Sequence, residues 1–218
     1  MSAPSDARCS FTGPPALFLI AAVIALSFLA APLVGLPYPL GLVWKTAGII
    51  LLGVQALQRG ARLAGYALLF SSVGDLVLDL KPPRMVAGMA AFGVAHLCYA
   101  AAFAGFFRRG QTGVAGLLLA GFVLAVSILL LCWFWSGMGD LRLPGAGYQA
   151  IITGMVVLAM LSRAPALAKV GAAVFMLSDT FIALDLYKGI DPPRGSVWIT
   201  CAAAQILLAW TLSNRRPA

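Results

Sequence analysis

Residues 113–135 read GVAGLLLAGFVLAVSILLLCWFW, twenty-three consecutive positions without one charged side chain. As a helix rising 1.5 Å per residue this run is about 34 Å long, enough to cross a hydrocarbon core of roughly 30 Å. In lipid every backbone N–H and C=O must be satisfied within the chain, so a run of this kind is helical. Comparable runs recur throughout the chain at 15–34, 40–57, 63–80, 85–107, 146–161, 164–187 and 197–214, separated by short clusters of Arg, Lys, Pro and Gly. The sequence therefore predicts an all-α fold, a polytopic bundle of eight transmembrane helices forming one integral membrane domain over 1–218. Connections of only a few residues make consecutive helices antiparallel neighbours. The first run follows Arg8 and passes through Leu29-Ala30-Ala31 like a cleaved signal, but it exceeds the usual 7–15-residue apolar region of one and reads as a retained helix.

Composition agrees. Of 218 residues 61% are hydrophobic and 10% charged, with a mean hydropathy of +0.96. A soluble domain carries roughly 25% charged residues, so a water-facing globule is excluded. The net charge of +8 does not point to nucleic acid, because the basic residues form no patch with interleaved aromatics. They stand singly or in pairs between apolar runs, where membrane topology places them. With the N-terminus inside, nine lie on the cytoplasmic side (Arg8, Arg59, Arg62, Arg108, Arg109, Arg163, Lys169, Arg215, Arg216) and five opposite (Lys81, Arg84, Arg142, Lys188, Arg194). That asymmetry places both termini in the cytoplasm. Cys9, Cys98, Cys132 and Cys201 are far apart, without metal-ligand or disulfide spacing, and read as structural. Leu78-Asp79-Leu80 with Pro82-Pro83-Arg84 is echoed by Leu184-Asp185-Leu186 with Pro192-Pro193-Arg194. In so biased a composition chance explains the echo better than duplication.

A charged side chain at the bilayer centre costs roughly 2.5–3.5 kcal/mol on insertion scales, so those present face the bundle interior and pair or do chemistry. Lys45, Asp75, His96, Asp179 and Gln205 lie on five different spans, in a layer roughly 7–17 Å below the outer boundary at 1.5 Å per residue. Sharing one layer implies one polar cavity in the outer half of the bundle. Ser71, Asp75 and Asp79 share a helix face, with Ser72 beside them; His96 and Tyr99 point into a common space; Ser178 precedes Asp179. Plainer readings stand beside these. Asp79 and Asp185 suit helix ends near the headgroups, Lys45 can snorkel to the interface, Tyr99 can be interhelical packing, and Asp75 or Asp179 can form a buried ion pair with Lys45.

Gly74-Asp75, Ala95-His96-Leu97-Cys98-Tyr99 and the stretch from Gly171 through Ser178-Asp179, with Lys45 and Ala204-Gln205, resemble the YhhN family, the lysoplasmalogenase family of eight-helix membrane proteins. Thr46 stands where that family has Pro after the Lys, so the kink expected there is put in doubt. The resemblance implies hydrolysis of the vinyl ether bond of a lysoplasmalogen, a lysophospholipid substrate taken from the bilayer, to a fatty aldehyde and a glycerophospho-headgroup alcohol. Such a reaction needs a general acid, a negative charge for the oxocarbenium ion and a positioned water. Asp75 and Asp179 are the expected catalytic pair, with His96 assisting proton transfer. Lys45, Tyr99, Ser178 and Gln205 are the expected substrate contacts. Which Asp is the acid stays open. Two Asp and one His could ligate a divalent ion, but a single His excludes a His-rich zinc site, and no cofactor is called for. A small proton-coupled transporter or a non-catalytic lipid-binding protein could use the same buried groups. The composition weakly suggests a bacterial cytoplasmic membrane.

Overall fold

The computed structural model describes residues 16–107 and 112–214. Arg8, Cys9, Arg108, Arg109, Arg215 and Arg216, on which part of the charge count rests, lie outside them. Eight main helices follow in order: α1 Ala16–Val34, α2 Leu40–Gln58, α3 Arg62–Leu78, α4 Met85–Ala104, α5 Val114–Phe134, α6 Arg142–Leu161, α7 Ala166–Lys188 and α8 Ser196–Ser213. Seven, counted with their short 3₁₀ extensions, are long and apolar enough to cross a membrane. The exception is α3, whose 17 residues span only about 25 Å. It is held between α2 and α4 along its length.

The expected spans and the observed helices agree to within a few residues. The largest offset is at α6, which starts at Arg142 rather than 146 because Pro144 falls in the first turn, where its missing N–H has no intrahelical partner to lose. Gly189, with φ of 63°, ends α7 in the left-handed conformation; its N–H bonds to the Asp185 carbonyl and the next N–H, of Ile190, reaches the Leu184 carbonyl. The first of these is the 5→1 bond of the αL motif, and together the two satisfy carbonyls of the last turn.

One expectation fails. Consecutive helices are not all neighbours: α4 packs on α6, while α5 lies outside the ring, against α6 and marginally α7. The strongly apolar α5 has lipid on most of its surface, as the exposure of Leu118, Phe122 and Leu129 shows. The fold therefore reads as a ring of α1, α2, α3, α4, α6, α7 and α8, with α8 returning against α1, α2 and α3. In lipid, apolar surfaces gain little by meeting one another, so close packing of small residues carries the assembly. A Cβ at Gly48 would stand 2.4 Å from the backbone nitrogen of Ala25, so α1 and α2 cross backbone to backbone there. Trp198 of α8 donates its indole N–H to the Ala25 carbonyl at 2.9 Å, tying the last span to the first.

Candidate functional site

Because the chain reverses at every crossing, α2, α4, α6 and α8 begin at the end of the bundle where α1, α3, α5 and α7 finish. This site end gathers the polar residues. On one side Lys45 Nζ lies 2.7 Å from Asp79 Oδ2 and 3.6 Å from Asp75 Oδ1. It also sits 5.4 Å from the centre of the Trp198 ring, close enough for a cation–π contact. Asp79 caps the C-terminus of α3 and its side chain is 42% exposed, whereas that of Asp75 is 8% exposed. Asp79 is therefore not merely a helix-end residue near the headgroups; it makes the shorter contact to Lys45. Asp75 Oδ2 is buried and has no hydrogen-bond partner among the described residues.

Facing this group, α4, α6 and α7 bring together His96, Tyr148 and Asp179. The Tyr148 hydroxyl donates to Asp179 Oδ2. His96 Nε2 lies 2.9 Å from the Tyr148 oxygen and 3.3 Å from Asp179 Oδ2. With the tyrosine proton committed to the carboxylate, Nε2 is the atom that must carry hydrogen, while buried Nδ1 has no partner among the described residues. The imidazole is fully buried, stacked on Phe92 at 6.4 Å and met edge-on by Phe175 at 4.8 Å. Ring packing thus fixes its plane, and the two hydrogen-bond partners fix its tautomer.

The two groups are one site. Phe92 joins them: its ring stacks on His96 and lies so close to Gly74, next to Asp75, that a Cβ there would stand 2.4 Å from it. The Gln205 side-chain nitrogen points at the Cys201 sulfur at 3.4 Å, while Gln205 Oε1 and the Tyr99 hydroxyl are buried without partners among the described residues. Tyr99 packs edge-on against Phe175. Ser178 is differently employed: its hydroxyl donates to the Val197 carbonyl at 2.8 Å and pins α7 to the start of α8. Thr46 turns its hydroxyl back onto the Leu42 carbonyl at 3.0 Å, an ordinary helical arrangement that leaves α2 continuous through Lys45. Among the described residues no three His, Cys or Asp side chains are grouped to hold a metal ion.

A narrow cleft of about 50 Å³ opens beside Asp179 and Tyr148. Its walls are otherwise apolar, with Leu78, Met89, Phe92 and Leu186 prominent. This combination of an apolar chamber with few convergent polar groups is what a small-molecule site requires.

A sequence profile described as the YhhN family matches residues 40–212, which carry every residue of this site. The chain belongs to the YhhN family. Among its relatives, a lysoplasmalogenase of Mycobacterium bovis is 32% identical over 175 residues, covering 76% of this chain and 67% of that protein. The human lysoplasmalogenase TMEM86B is 38% identical over 154 residues, 69% of this chain and 62% of the human protein. The bovine lysoplasmalogenase TMEM86A is 31% identical over 170 residues, 69% of this chain and 65% of the bovine one. No solved structure matches.

Within this YhhN protein, Tyr148 is the site residue that sequence reasoning passed over. Tyrosine is common near membrane interfaces, and attention to ionisable side chains and a lone glutamine left it out. The available signal was depth: Tyr148 lies six positions into α6, in the layer already marked by Lys45 and Asp75.

Proposed function

We propose that this membrane protein is a lysoplasmalogenase-type hydrolase, which cleaves the vinyl ether of a single-chain ether phospholipid to a fatty aldehyde and a glycerophospho-headgroup alcohol. The names of its relatives suggest the reaction, and one observation carries the assignment to residues. Asp179, held by Tyr148 and facing His96, stands on the wall of an apolar cleft that opens at one end of the bundle.

Hydrolysis of a vinyl ether begins with a proton on the β-carbon. We assign that proton to Asp75 and the negative charge to Asp179. Lys45 offers one positive charge to two carboxylates and lies closer to Asp79. Ionising Asp75 as well would leave an uncompensated buried charge, with one oxygen lacking any partner. Asp179, by contrast, receives the Tyr148 hydroxyl and the His96 N–H, two donors that match a carboxylate acceptor and hold it in place. When the β-carbon takes the proton from Asp75, positive charge develops on the adjacent carbon and ether oxygen. The fixed carboxylate of Asp179 is then in place to stabilise it, in a chamber with little water to screen it. Water adds to that carbon and releases one proton, for which the two carboxylates are the acceptors. The hemiacetal collapses to aldehyde and alcohol, and Asp75 is reprotonated, so the reaction consumes one water overall. His96 and Tyr148 position Asp179, Lys45 balances the Asp75–Asp79 pair, and Tyr99 and Gln205 line the buried polar side.

Depth within the chain supports a bilayer substrate, because the site lies about one to three helical turns from the bundle end, at the level where a lysolipid headgroup meets its chain. We further propose that the chain forms one integral membrane domain in a bacterial cytoplasmic membrane, with both termini cytoplasmic and the site toward the opposite face.

The test is aldehyde release from lysoplasmenylethanolamine by purified protein in nanodiscs, alongside Asp75→Asn and Asp179→Asn. The expected result is turnover by the wild type and a loss of a thousandfold or more in both variants at unchanged thermal stability. Undiminished activity in either folded variant would remove that residue from the mechanism.

A further inference from the structure

A second opening lies outside the ring of helices. Between α5 and α6 a groove of about 340 Å³ faces the bilayer, with Leu124, Ile128, Leu131 and Val157 as its apolar walls. Leu124 and Ile128 are 49% and 53% exposed, so the groove is open to lipid rather than roofed by protein. A polar seam runs along it. The Gln149 amide donates to Ser127 Oγ at 3.0 Å, the Ser127 and Thr153 hydroxyls lie 2.6 Å apart, and Thr153 donates to the Gln149 carbonyl at 2.6 Å. Each hydroxyl is satisfied within the seam. It therefore joins the two helices and leaves the surrounding walls to an apolar occupant.

Gln149 is also a wall of the catalytic cleft. Its neighbour Tyr148 turns toward Asp179, while the Gln149 side chain reaches across to α5, so one residue separates the cleft from the groove. The cleft residues lie within roughly 14 Å of the site end at 1.5 Å per residue. That is room for the reacting end of a lipid but not for the length of its chain. The groove takes over from there, with its α6 wall running from Ala146 to Val157, roughly 16 Å toward the other face. Its floor is widened at Gly154, where an added Cβ would meet nothing within 4 Å.

We propose that the α5–α6 groove holds the hydrocarbon chain of the single-chain ether lipid and admits it sideways from the bilayer, with the vinyl ether passing Gln149 into the cleft. This assignment rests on the hydrolase reading for the identity of the lipid. The apolar walls, the wall shared at Gln149 and the descending direction fit a chain whose headgroup stays at the site end.

Two experiments test it. Gly154→Phe fills the groove from a helix face with space for the ring. The expected result is at least a tenfold rise in KM for an eighteen-carbon lysoplasmenylethanolamine, with kcat within threefold. The same variant should change kcat/KM for a four-carbon vinyl ether analogue less than threefold. Equal effects on both substrates, or on neither, overturn the proposal. The second test needs no turnover: a non-hydrolysable alkyl-ether lysolipid with a diazirine at its chain terminus is photolysed on wild-type protein in nanodiscs. Labelling at Ile128, Leu131 or Val157 is expected; labelling confined to Met85 and Met89 would put the chain in the cleft and overturn it. Efficient disulfide pairing between Ile128→Cys copies would show a second protomer in the groove, with the same consequence. A wild type that takes the label at the groove but releases no aldehyde would sink the hydrolase reading and leave the groove as a lipid site.

Discussion

Replacing Tyr148 by Phe removes one oxygen and little else. The ring keeps its tilted contact with His96, centroids 5.5 Å apart, so the fold should be preserved. What disappears is the hydroxyl that donates to Asp179 Oδ2 and lies 2.9 Å from His96 Nε2. A hydrogen bond to an ionised group is worth about 1.5–3 kcal/mol. If Asp179 acts by holding its charge against a developing cation, looser placement of that charge raises the barrier by an amount in this range. At about 1.4 kcal/mol per factor of ten, kcat should fall about 10- to 150-fold. The His96 contact at 3.3 Å remains, so the loss should stay well short of that in Asp179→Asn. Tyr66→Phe is the control, because its side chain is 49% exposed on α3, away from the site; its kcat should stay within threefold. The assay is aldehyde release coupled to NADH oxidation by an aldehyde-reducing enzyme, with thermal unfolding in the same detergent. A Tyr148→Phe enzyme within threefold of wild type, or a Tyr66→Phe enzyme equally impaired, would refute the placement of Tyr148 as the support of Asp179.

Other consequences are smaller but separable. Asp79→Asn removes a half-exposed partner of Lys45, a pair worth about 1 kcal/mol or less, and should lower kcat by less than tenfold; Lys45→Met strands both Asp75 and Asp79 and should lower it far more, with the comparison made at equal folded fraction. Gly48→Val drives a side chain into the Ala25 backbone, and overpacking of that kind costs about 1–3 kcal/mol, so its thermal midpoint in detergent should drop by several degrees. Ser178→Ala loses the bond to the Val197 carbonyl, about 1 kcal/mol, and should lower the unfolding temperature while leaving kcat within threefold; a large kcat loss at unchanged stability would return Ser178 to the reacting centre.

The helices were legible in the sequence because lipid leaves the backbone no alternative, and a run such as 113–135 admits one reading. The layer of polar residues was legible for a related reason: depth along a helix is simple arithmetic, and the cost of burial makes each intramembrane charge informative. Lateral arrangement was not. That α4 turns to α6 and leaves α5 outside depends on small-residue packing, and Ala and Gly are too numerous here to show which of them meet. The pairing of charges was also hidden. Asp75 and Asp79 sit one turn apart on α3, and only the reach of Lys45 across from α2 decides that the nearer contact goes to Asp79. Tyr148 escaped because nothing in its own neighbourhood marks it. Its meaning comes from Asp179, thirty-one residues later.

The return of α8 against α1, α2 and α3 has a consequence for how the protein is made. Synthesis releases helices in chain order, yet Cys201 and Gln205, which pair on the buried side of the site, and Trp198, which sits beside the Lys45 ammonium, all arrive on the last span. Until that span enters the bilayer, Asp75 and Lys45 face lipid, or a chaperone, where α8 will later stand. A nascent chain stalled after α7 thus presents charged side chains within the membrane, the kind of exposure that membrane quality control can read. The polar site is complete only when the final helix closes the ring.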